Sequence, residues 1–460
     1  MSDRKSLGLL FITLVASVGG FLFGFDMAVI SGVLPLVKQQ FNLTAGQEGW
    51  FVSSALVGCI IGVLCSGEIS DRLGRKNALN LAALLFILSA MGCALVPSLM
   101  GVIAFRIVAG LGIGMASSVV PLYISEIAPA NRRGQLVTYY QFAVTFGILL
   151  AYLSNAALLH GYGISMLPFL RHTKMVDQIW RLMLGISVLP SFLFLVGLLF
   201  VPESPRWLLQ KKEVSTSESK EKRTLKNMES DLLQPGPALD TQPAAGYRAL
   251  FAPRIRRALL IGILLPVFSQ FSGINAIIYY GPTILSNAGI PLSNSLYSQV
   301  IFGVANMMFT LLAIWKVDQW GRRPLYLLGT AGAAISLLAT GLCFYMGAVG
   351  SIWLLLSVLM FLACFACSIG PLKFVVASEI FPNAIRARAL AFSVTLMWIA
   401  DTAVGQITPL LLQHIGNAGT FWVFATCCIA AFVVVYRLLP ETKGKSLEEI
   451  EEGWNSQRNN

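Results

Sequence analysis

Charged residues are scarce in this chain. They make up 12% of its 460 residues, whereas hydrophobic residues make up 56%. Because soluble domains are about 25% charged, the chain has too few polar residues to cover a water-facing surface of this size. This composition excludes an ordinary cytosolic enzyme, and the high apolar content excludes a disordered chain. A lipid bilayer is the solvent that fits.

Side chains that commonly carry catalysis or bind metals are also few. The eight cysteines all lie within apolar runs, where a thiol behaves as a small hydrophobe. Cys364 and Cys367 have a redox spacing, but no second cysteine pair accompanies them. We therefore expect no enzymatic activity, no metal site and no bound cofactor. The three histidines have no metal-ligand spacing: His160, His172 and His414.

Long apolar runs dominate the sequence. A helix needs about 20 apolar residues to cross the hydrocarbon core, and a helix satisfies all of its backbone groups within one segment. The predicted fold class is an all-α membrane protein with twelve transmembrane helices. The predicted spans are 8–35, 49–70, 77–97, 99–122, 135–159, 180–201, 257–288, 296–317, 324–346, 351–378, 389–412 and 418–439.

Basic residues in the short loops predict the orientation. They follow the second, fourth, eighth and tenth spans, as with Arg72, Arg75 and Lys76 after the second span. The intervening loops carry few, and basic loops face the cytoplasm. We expect a multi-pass protein of the plasma (inner) membrane with both termini cytoplasmic. These loops also account for the net charge of +11, so we expect no nucleic-acid partner.

Three short motifs occur twice, about 240 to 250 residues apart. They lie at the same place in each group of six spans, which indicates two six-helix halves built on one plan. We predict an N-terminal bundle over 1–209, a cytoplasmic connector with short helices over 210–256, a C-terminal bundle over 257–440 and a cytoplasmic tail over 441–460. The repeated pairs are Asp71-Arg-Leu-Gly-Arg-Lys76 with Asp318-Gln-Trp-Gly-Arg-Arg323, Ser125-Glu-Ile-Ala-Pro129 with Ser378-Glu-Ile-Phe-Pro382, and Pro202-Glu-Ser with Pro440-Glu-Thr.

The repeated motifs combine acidic and basic residues at one membrane face. Such groups can form ion pairs that dock helix ends. The expected pairs include Glu126 with Arg133, Glu379 with Arg386 and Glu203 with Arg206. We predict a set of charge clamps that hold the two halves together when the cytoplasmic side is closed. The alternative is that these residues only anchor the topology. The candidate clamp residues are Asp71, Arg75, Glu126, Arg133, Glu203, Arg206, Asp318, Arg322, Glu379 and Arg386.

The motifs resemble those of the sugar porter family of the major facilitator superfamily, including its bacterial proton-coupled xylose and hexose symporters. The resemblance covers nearly the whole chain and implies transport of a monosaccharide, a pentose or a hexose, by alternating access. It also implies a sugar site between the halves. The segments that carry the resemblance are Asp71-Arg-Leu-Gly-Arg75, Pro202-Glu-Ser-Pro-Arg-Trp207, Gln270-Phe-Ser-Gly-Ile-Asn275, Gly370-Pro371, Ser378-Glu-Ile-Phe-Pro382 and Pro440-Glu-Thr-Lys-Gly444.

Four side-chain amides lie within predicted spans: Gln141, Gln270, Asn275 and Asn306. Amides match sugar hydroxyls because each offers donors and an acceptor without charge, and polar groups in mid-membrane usually face a cavity or a partner. An ideal helix would place Gln270 and Asn275 roughly 140° apart, so we expect Gly273 to break the helix between them. By resemblance the four amides bind sugar. The alternative is that they only bridge helices.

Aromatic side chains suit the apolar faces of a sugar ring. By resemblance, five could cover or gate the site, although packing alone is the alternative. The chain departs from the family at two positions, since Phe374 stands where a Trp is common and Ser269 where a second Gln is common. The preferred sugar or polyol therefore stays open. The aromatic candidates are Trp398, Phe374, Phe23, Tyr279 and Tyr280.

Asp26 and Arg106 interrupt apolar spans in the first half. An unpaired charge there is costly, so we expect the two to form an ion pair that protonation of Asp26 would break. By resemblance, proton-coupled bacterial members have an acidic residue at this position and animal uniporters a neutral amide. We predict proton symport through Asp26, with a purely structural ion pair as the alternative. A uniporter or a transport-inactive sugar sensor of the same fold would have a similar sequence.

Lys373 and Asp401 form a second pair of charges within apolar sequence, in the tenth and eleventh spans. We hypothesise that they pair with each other. Alternatively, Lys373 extends to an aqueous cavity and Asp401 shapes the choice of substrate. The expected partners are thus a monosaccharide, protons as the coupling ion and the lipid bilayer, and we expect the chain to function as a monomer.

Overall fold

The structure, a computed structural model, is built from helices, and the part of the chain that it describes contains no β-strand. Helices satisfy every backbone hydrogen bond within one segment, as a chain in lipid requires. The described residues are 2–129, 133–161, 178–215, 256–381 and 385–441, and within them the backbone alone is described at 2–7, 133–135, 137, 210, 212–215, 314–320, 374, 378, 386 and 387.

The first half contributes six spans, the sixth being divided into two helices. Polar caps at helix starts fix several boundaries: Thr44 and Gln47 form a reciprocal capping box at the second helix, and the Ser98 hydroxyl caps the fourth. The helices are α1 (Ser2–Phe41), α2 (Ala45–Leu73), α3 (Arg75–Leu95), α4 (Leu99–Ile127), α5 (Arg133–Leu159), α6 (Ile179–Gly185), α7 (Val188–Leu199) and the short α8 (Pro205–Ser215).

The second half contributes six more spans, two of which are interrupted. The seventh is broken at Gly273, and the tenth contains a π-helical turn just before Gly370, a feature often found at functional sites. The helices are α9 (Arg256–Phe271), α10 (Ile274–Asn287), α11 (Leu292–Trp320), α12 (Arg322–Tyr345), α13 (Ile352–Cys364), the π-helix (Phe365–Ile369), α14 (Gly370–Ile380), α15 (Arg386–His414) and α16 (Gly416–Leu438).

Twelve segments of the described chain are long and apolar enough to cross a membrane, in the order of the twelve predicted spans. Most boundaries differ by a few residues, and α1 continues to Phe41 instead of ending near residue 35. The predicted start of the connector at residue 210 falls inside α8, which ends at Ser215. The rest of the predicted connector up to residue 255, and the predicted tail from residue 442, lie outside the described residues.

Close packing of small residues joins helices within each half. Gly58 and Gly62 of α2 lie against Gly110 and Gly114 of α4, so near that a Cβ at Gly110 would lie 1.9 Å from the Ala55 carbonyl oxygen. Small residues allow such approach between helices in lipid, where no hydrophobic force drives them together. Because the described spans alternate in direction, α1 begins and α16 ends at one face, here called the terminal face.

The two halves meet near the other end of the spans, here called the opposite face, where α2 packs on α15, α5 on α11 and α1 on α10. Gln406 of α15 accepts a hydrogen bond from Ser53 at 3.0 Å and donates one to the Gly46 carbonyl at 3.0 Å. The Tyr152 hydroxyl of α5 donates to the Ile278 carbonyl at 3.4 Å. These contacts join the halves at the opposite face.

Candidate functional site

The break in the seventh span brings two predicted site residues together. Gly273 adopts φ +86°, a left-handed conformation that favours glycine because it carries no Cβ. α9 ends just before it and α10 begins just after it. As a result, Asn275 Nδ2 donates to Gln270 Oε1 at 2.9 Å. The expected helix break is present in the structure.

Asp401 of α15 joins this pair of amides. Asn275 Nδ2 also donates to Asp401 Oδ1 at 2.6 Å, and the Tyr279 hydroxyl donates to Asp401 Oδ2 at 3.2 Å. The aspartate is 1% exposed, so these neutral donors stand in for the water that a charged carboxylate would otherwise need. We call Gln270, Asn275, Tyr279 and Asp401 the amide cluster.

Lys373 lies in the same half, but the hypothesised pair with Asp401 is wrong. Lys373 Nζ donates to Ser269 Oγ at 2.9 Å, and in the described part of the chain Asp401 forms no ion pair. Instead, Lys373 bonds to a residue of α9 and Asp401 bonds to residues of α10. Ser269 thus contacts the ammonium group of Lys373.

The structure does not connect all of the predicted amides. Gln141 on α5 and Asn306 on α11 are partly buried, and their backbone carbonyls accept bonds from the Thr145 and Thr310 hydroxyls. The described contacts include no side-chain hydrogen bond of either amide. Because hydrogen bonding between helices was the alternative role for these amides, its absence here leaves sugar binding by Gln141 and Asn306 as a prediction.

Three predicted aromatic residues lie where the halves meet. The Phe23 and Trp398 rings, one from each half, have centroids 5.6 Å apart, and Trp398 Nε1 is buried without a hydrogen-bond partner. The Tyr280 hydroxyl donates to the Gly405 carbonyl at 2.5 Å. The ring contact crosses between the halves, whereas the Tyr280 bond joins α10 to α15 within the second half. The side chain of Phe374 lies outside the described residues.

Asp26 and Arg106 do not form the predicted ion pair. Arg106 instead donates to backbone carbonyls of α2, from Nε to Phe51 at 2.8 Å and from Nη2 to Val52 at 3.4 Å. Its guanidinium also lies 5.2 Å from the centre of the Phe51 ring, a cation–π contact. A carbonyl oxygen that accepts a hydrogen bond within its helix still has a second lone pair. Arg106 donates to this second lone pair.

A small cavity lies between Asp26 and Arg106. Both residues line it, together with Ser89 and Ser187, and it has room for about one water molecule. Asp26 Oδ2 and Arg106 Nη1 are both buried without a hydrogen-bond partner. Two unpartnered groups of opposite charge at one cavity form an arrangement that can take up and release a proton.

Charged residues at the terminal face form a network within the first half. Arg75 donates to Glu126 through Nε and Nη2 at 3.0 to 3.2 Å, and through Nη1 to Asp71 at 2.8 Å. Glu203 does not pair with Arg206 as predicted. It accepts from the backbone N–H of Lys76 at 3.0 Å and so caps the start of α3, where helix ends favour negative charge.

The second half repeats this arrangement. Arg322 pairs with Glu379 at 3.1 Å. Glu441 accepts from the backbone N–H groups of Arg322 and Arg323 at 3.0 and 3.1 Å, as Glu203 does in the first half. These described contacts join groups of one half, so in this conformation they do not clamp the halves together. The predicted partners Arg133, Asp318 and Arg386 have side chains outside the described residues.

Sequence reasoning missed Gln406 and the capping role of Glu441. Gln406 follows Asp401 in an apolar span, and its amide was a signal of the kind that singled out Gln141. Glu441 stands in the repeat of the Glu203 motif, which could have predicted matching roles. In the residues that the structure describes, no group of three or more His, Cys, Asp or Glu side chains could hold a metal ion.

Comparison with known proteins identifies relatives along the whole chain. A family model described as "Sugar (and other) transporter" matches residues 12–454. The arabinose-proton symporter of Bacillus subtilis is 39% identical over 468 residues, covering 99% of this chain and 97% of the relative. The D-xylose-proton symporter of Escherichia coli is 38% identical over 478 residues, covering 96% and 95%.

A solved structure gives the same result. The inward open conformation of the xylose transporter XylE from E. coli matches with a TM-score of 0.79 and 35% identity, covering 97% of this chain and 100% of that one. The match extends over all twelve spans of this chain. The chain is therefore a multi-pass membrane protein that belongs to the sugar transporter family of the major facilitator superfamily.

Proposed function

We propose that this chain imports a monosaccharide, a pentose or a hexose, together with protons by alternating access. The observation that carries proton coupling is the Asp26 Oδ2 atom, which is buried without a partner beside Arg106. The names of the relatives support the same chemistry, since they are proton symporters for arabinose and xylose. The coupling ion is the proton, and no cofactor takes part.

The sugar binds between the halves, next to the amide cluster. Gln270 and Asn275 supply donors and acceptors for hydroxyls, and Trp398 with Phe23 supplies aromatic faces for the ring. Gln141 and Asn306 reach the sugar from α5 and α11, together with Ser269, Tyr280 and Phe374. The partly buried amides support this assignment, because amides without partners in mid-membrane need a polar ligand.

Alternating access follows from the contacts at the opposite face. In this proposal the terminal face is cytoplasmic, in the plasma (inner) membrane, and the contacts at the opposite face close the sugar site to the outside. To admit sugar, the contacts of Gln406 with Ser53 and of Tyr152 with Ile278 break, and the Phe23 and Trp398 rings separate. The terminal-face clamp residues then draw together, and a single chain performs the cycle.

Protonation of Asp26 controls this change. A carboxylate enclosed in low-dielectric surroundings without a partner is costly, so the sugar-loaded carrier closes readily only when Asp26 is protonated. After Asp26 has released this proton to the cytoplasm, the neighbouring Arg106 offsets the charge of the carboxylate, and the empty carrier returns without the proton. Asp26 lines the cavity beside Arg106 and its Oδ2 atom makes no hydrogen bond. That oxygen can therefore bind a proton without breaking a hydrogen bond. One proton therefore moves inward with each sugar, and the proton gradient drives accumulation.

Sugar-driven alkalinisation tests this proposal. Cells that express the wild type should alkalinise their medium on addition of sugar and accumulate the sugar, whereas Asp26→Asn should do neither but should still exchange sugar across the membrane. Glu68→Gln is a matched control, because Glu68 is exposed at the surface and pairs only with Arg72.

Three outcomes would overturn the proposal in different ways. If Asp26→Asn still concentrates sugar, Asp26 is not the coupling group. If the wild type equilibrates sugar without moving protons, the protein is a uniporter. If it binds sugar in detergent but moves none into proteoliposomes, it is a sensor.

A further inference from the structure

The amide cluster has a definite direction of hydrogen bonding. Asn275 Nδ2 donates to Gln270 Oε1 at 2.9 Å and to Asp401 Oδ1 at 2.6 Å. A side-chain amide has two N–H donors on its nitrogen, so both donors of Asn275 are used within the protein.

Asp401 determines which way each amide faces. Both carboxylate oxygens of Asp401 accept hydrogen bonds, Oδ1 from Asn275 and Oδ2 from Tyr279, so Asn275 turns its nitrogen, not its oxygen, toward Asp401. The second N–H of that nitrogen then lies at Gln270, which has to present its oxygen. A neutral amide at position 401 would fit either orientation, because amides carry both a donor and an acceptor.

This arrangement leaves one group on each amide for a ligand. Asn275 keeps its Oδ1 acceptor and Gln270 keeps its Nε2 donors, and the described contacts include no protein partner for either group. Asn275 is also only partly buried. The hydroxyl of a ligand that meets Asn275 must therefore donate, and the hydroxyl that meets Gln270 must accept.

We propose that Asp401 is a positioning residue that fixes the hydrogen-bond polarity of the sugar site, so that the sugar hydroxyl at Asn275 donates and the sugar hydroxyl at Gln270 accepts. This inference rests on the proposed function in sugar transport. Asp401 touches Asn275 and Tyr279 and acts on the sugar through Asn275. A carboxylate held by neutral donors suits this role, because an ion pair would occupy the oxygen that orients Asn275.

Deoxyfluoro sugars test the polarity. A C–F group cannot donate a hydrogen bond, so replacing the hydroxyl that donates to Asn275 should raise the dissociation constant about tenfold. Replacing the hydroxyl that accepts from Gln270 should change it less than about threefold, because fluorine still accepts weakly. Equilibrium binding to the purified full-length protein in detergent measures both, for a transported sugar and its singly fluorinated analogues.

Asp401→Asn should remove the difference between the two positions. Its amide allows Asn275 to turn either way, so we expect the tenfold penalty to fall below about threefold. Thr402→Val is the matched control, because Thr402 is the next residue of α15 and its hydroxyl bonds only to the Trp398 carbonyl of its own helix. We expect its pattern across the analogues to equal that of the wild type.

The exchange of the two side chains gives the sharpest test. In Asp401→Asn/Asn275→Asp the carboxylate moves to the amide's place, so Gln270 must turn its nitrogen inward and offer its oxygen to the sugar. The hydroxyl that faces Gln270 should then show the fluorine penalty as well, because the carboxylate at position 275 still accepts from the other hydroxyl. If the exchanged protein folds, as judged by thermal unfolding, and its pattern matches the wild type, the inference is overturned.

Uptake into proteoliposomes, measured in parallel, separates this inference from the proposed function. Wild type that binds with the expected polarity but transports no sugar would disprove transport and leave the inference standing. Wild type that transports sugar but shows the same fluorine pattern as Asp401→Asn would overturn the inference alone. A wild type that binds no sugar of the panel would also overturn it.

Discussion

Asp26 and Asp401 are both carboxylates set within apolar spans, one in each half, and their surroundings differ. Asp26 lines a small cavity and its Oδ2 atom has no hydrogen-bond partner, whereas Asp401 accepts bonds from Asn275 and Tyr279. A carboxylate without donors can exchange a proton without disturbing its neighbours. A carboxylate that holds two donors cannot change its state without releasing them. The first half is thus suited to proton coupling and the second to orienting a ligand.

Alanine substitution at each position tests this difference between the two carboxylates most directly. Asp401→Ala leaves the Asn275 amide and the Tyr279 hydroxyl without an acceptor, which should lower the free energy of unfolding by about 3 kcal/mol. Asp26→Ala removes a buried group that makes no hydrogen bond, so it should change that free energy by less than about 1 kcal/mol. Thermal and denaturant unfolding in detergent micelles measure both. Equal losses for the two variants would contradict the difference between the carboxylates.

Gly273→Ala should disturb the second half alone. The residue has φ +86°, and a Cβ there would lie 2.7 Å from the Phe424 ring. The left-handed backbone alone costs about 1 to 2 kcal/mol for a residue with a Cβ, and the contact adds to it. We expect a loss of about 2 kcal/mol in stability and about tenfold weaker sugar binding, with proton coupling per transported sugar unchanged.

Gly289→Ala is the matched control for this variant. Gly289 has φ +92°, but nothing lies within 4 Å of the Cβ that alanine would add. It should show the backbone cost of about 1 kcal/mol and normal sugar binding. If both variants weaken binding equally, the break at Gly273 does not position the amide cluster.

Features that depend on a residue's own type were predictable from sequence. The spans follow from apolar length, and the break at Gly273 follows from the spacing of Gln270 and Asn275 on an ideal helix. These predictions succeeded because each rests on local geometry. The contact between Asn275 and Asp401 could not be predicted from the sequence. The two residues lie 126 residues apart, on helices whose relative rotation the sequence does not reveal.

Two of the failed pairings share a physical cause. Arg106 was expected to form an ion pair with Asp26 but donates to the Phe51 carbonyl. Glu203 was expected to form an ion pair with Arg206 but accepts a hydrogen bond from the Lys76 N–H. In both cases a backbone group took the place of the charged partner. Every residue carries such groups, so the sequence gives no sign of which ones are within reach.

Glu203 and Glu441 extend the comparison of the two halves to the terminal face, where the two halves have the same hydrogen-bonding arrangement. Each carboxylate accepts from backbone N–H groups at the start of a helix, α3 or α12. We expect Glu203→Gln and Glu441→Gln each to lower the free energy of unfolding by about 1 kcal/mol, as for other helix caps. Arg206→Ala, a neighbour for which the described contacts include no partner, should change it by less than about 0.5 kcal/mol. Unequal losses for the two glutamates would mean that the halves differ at the terminal face as well as in mid-membrane. The difference between the halves would then extend beyond Asp26 and Asp401.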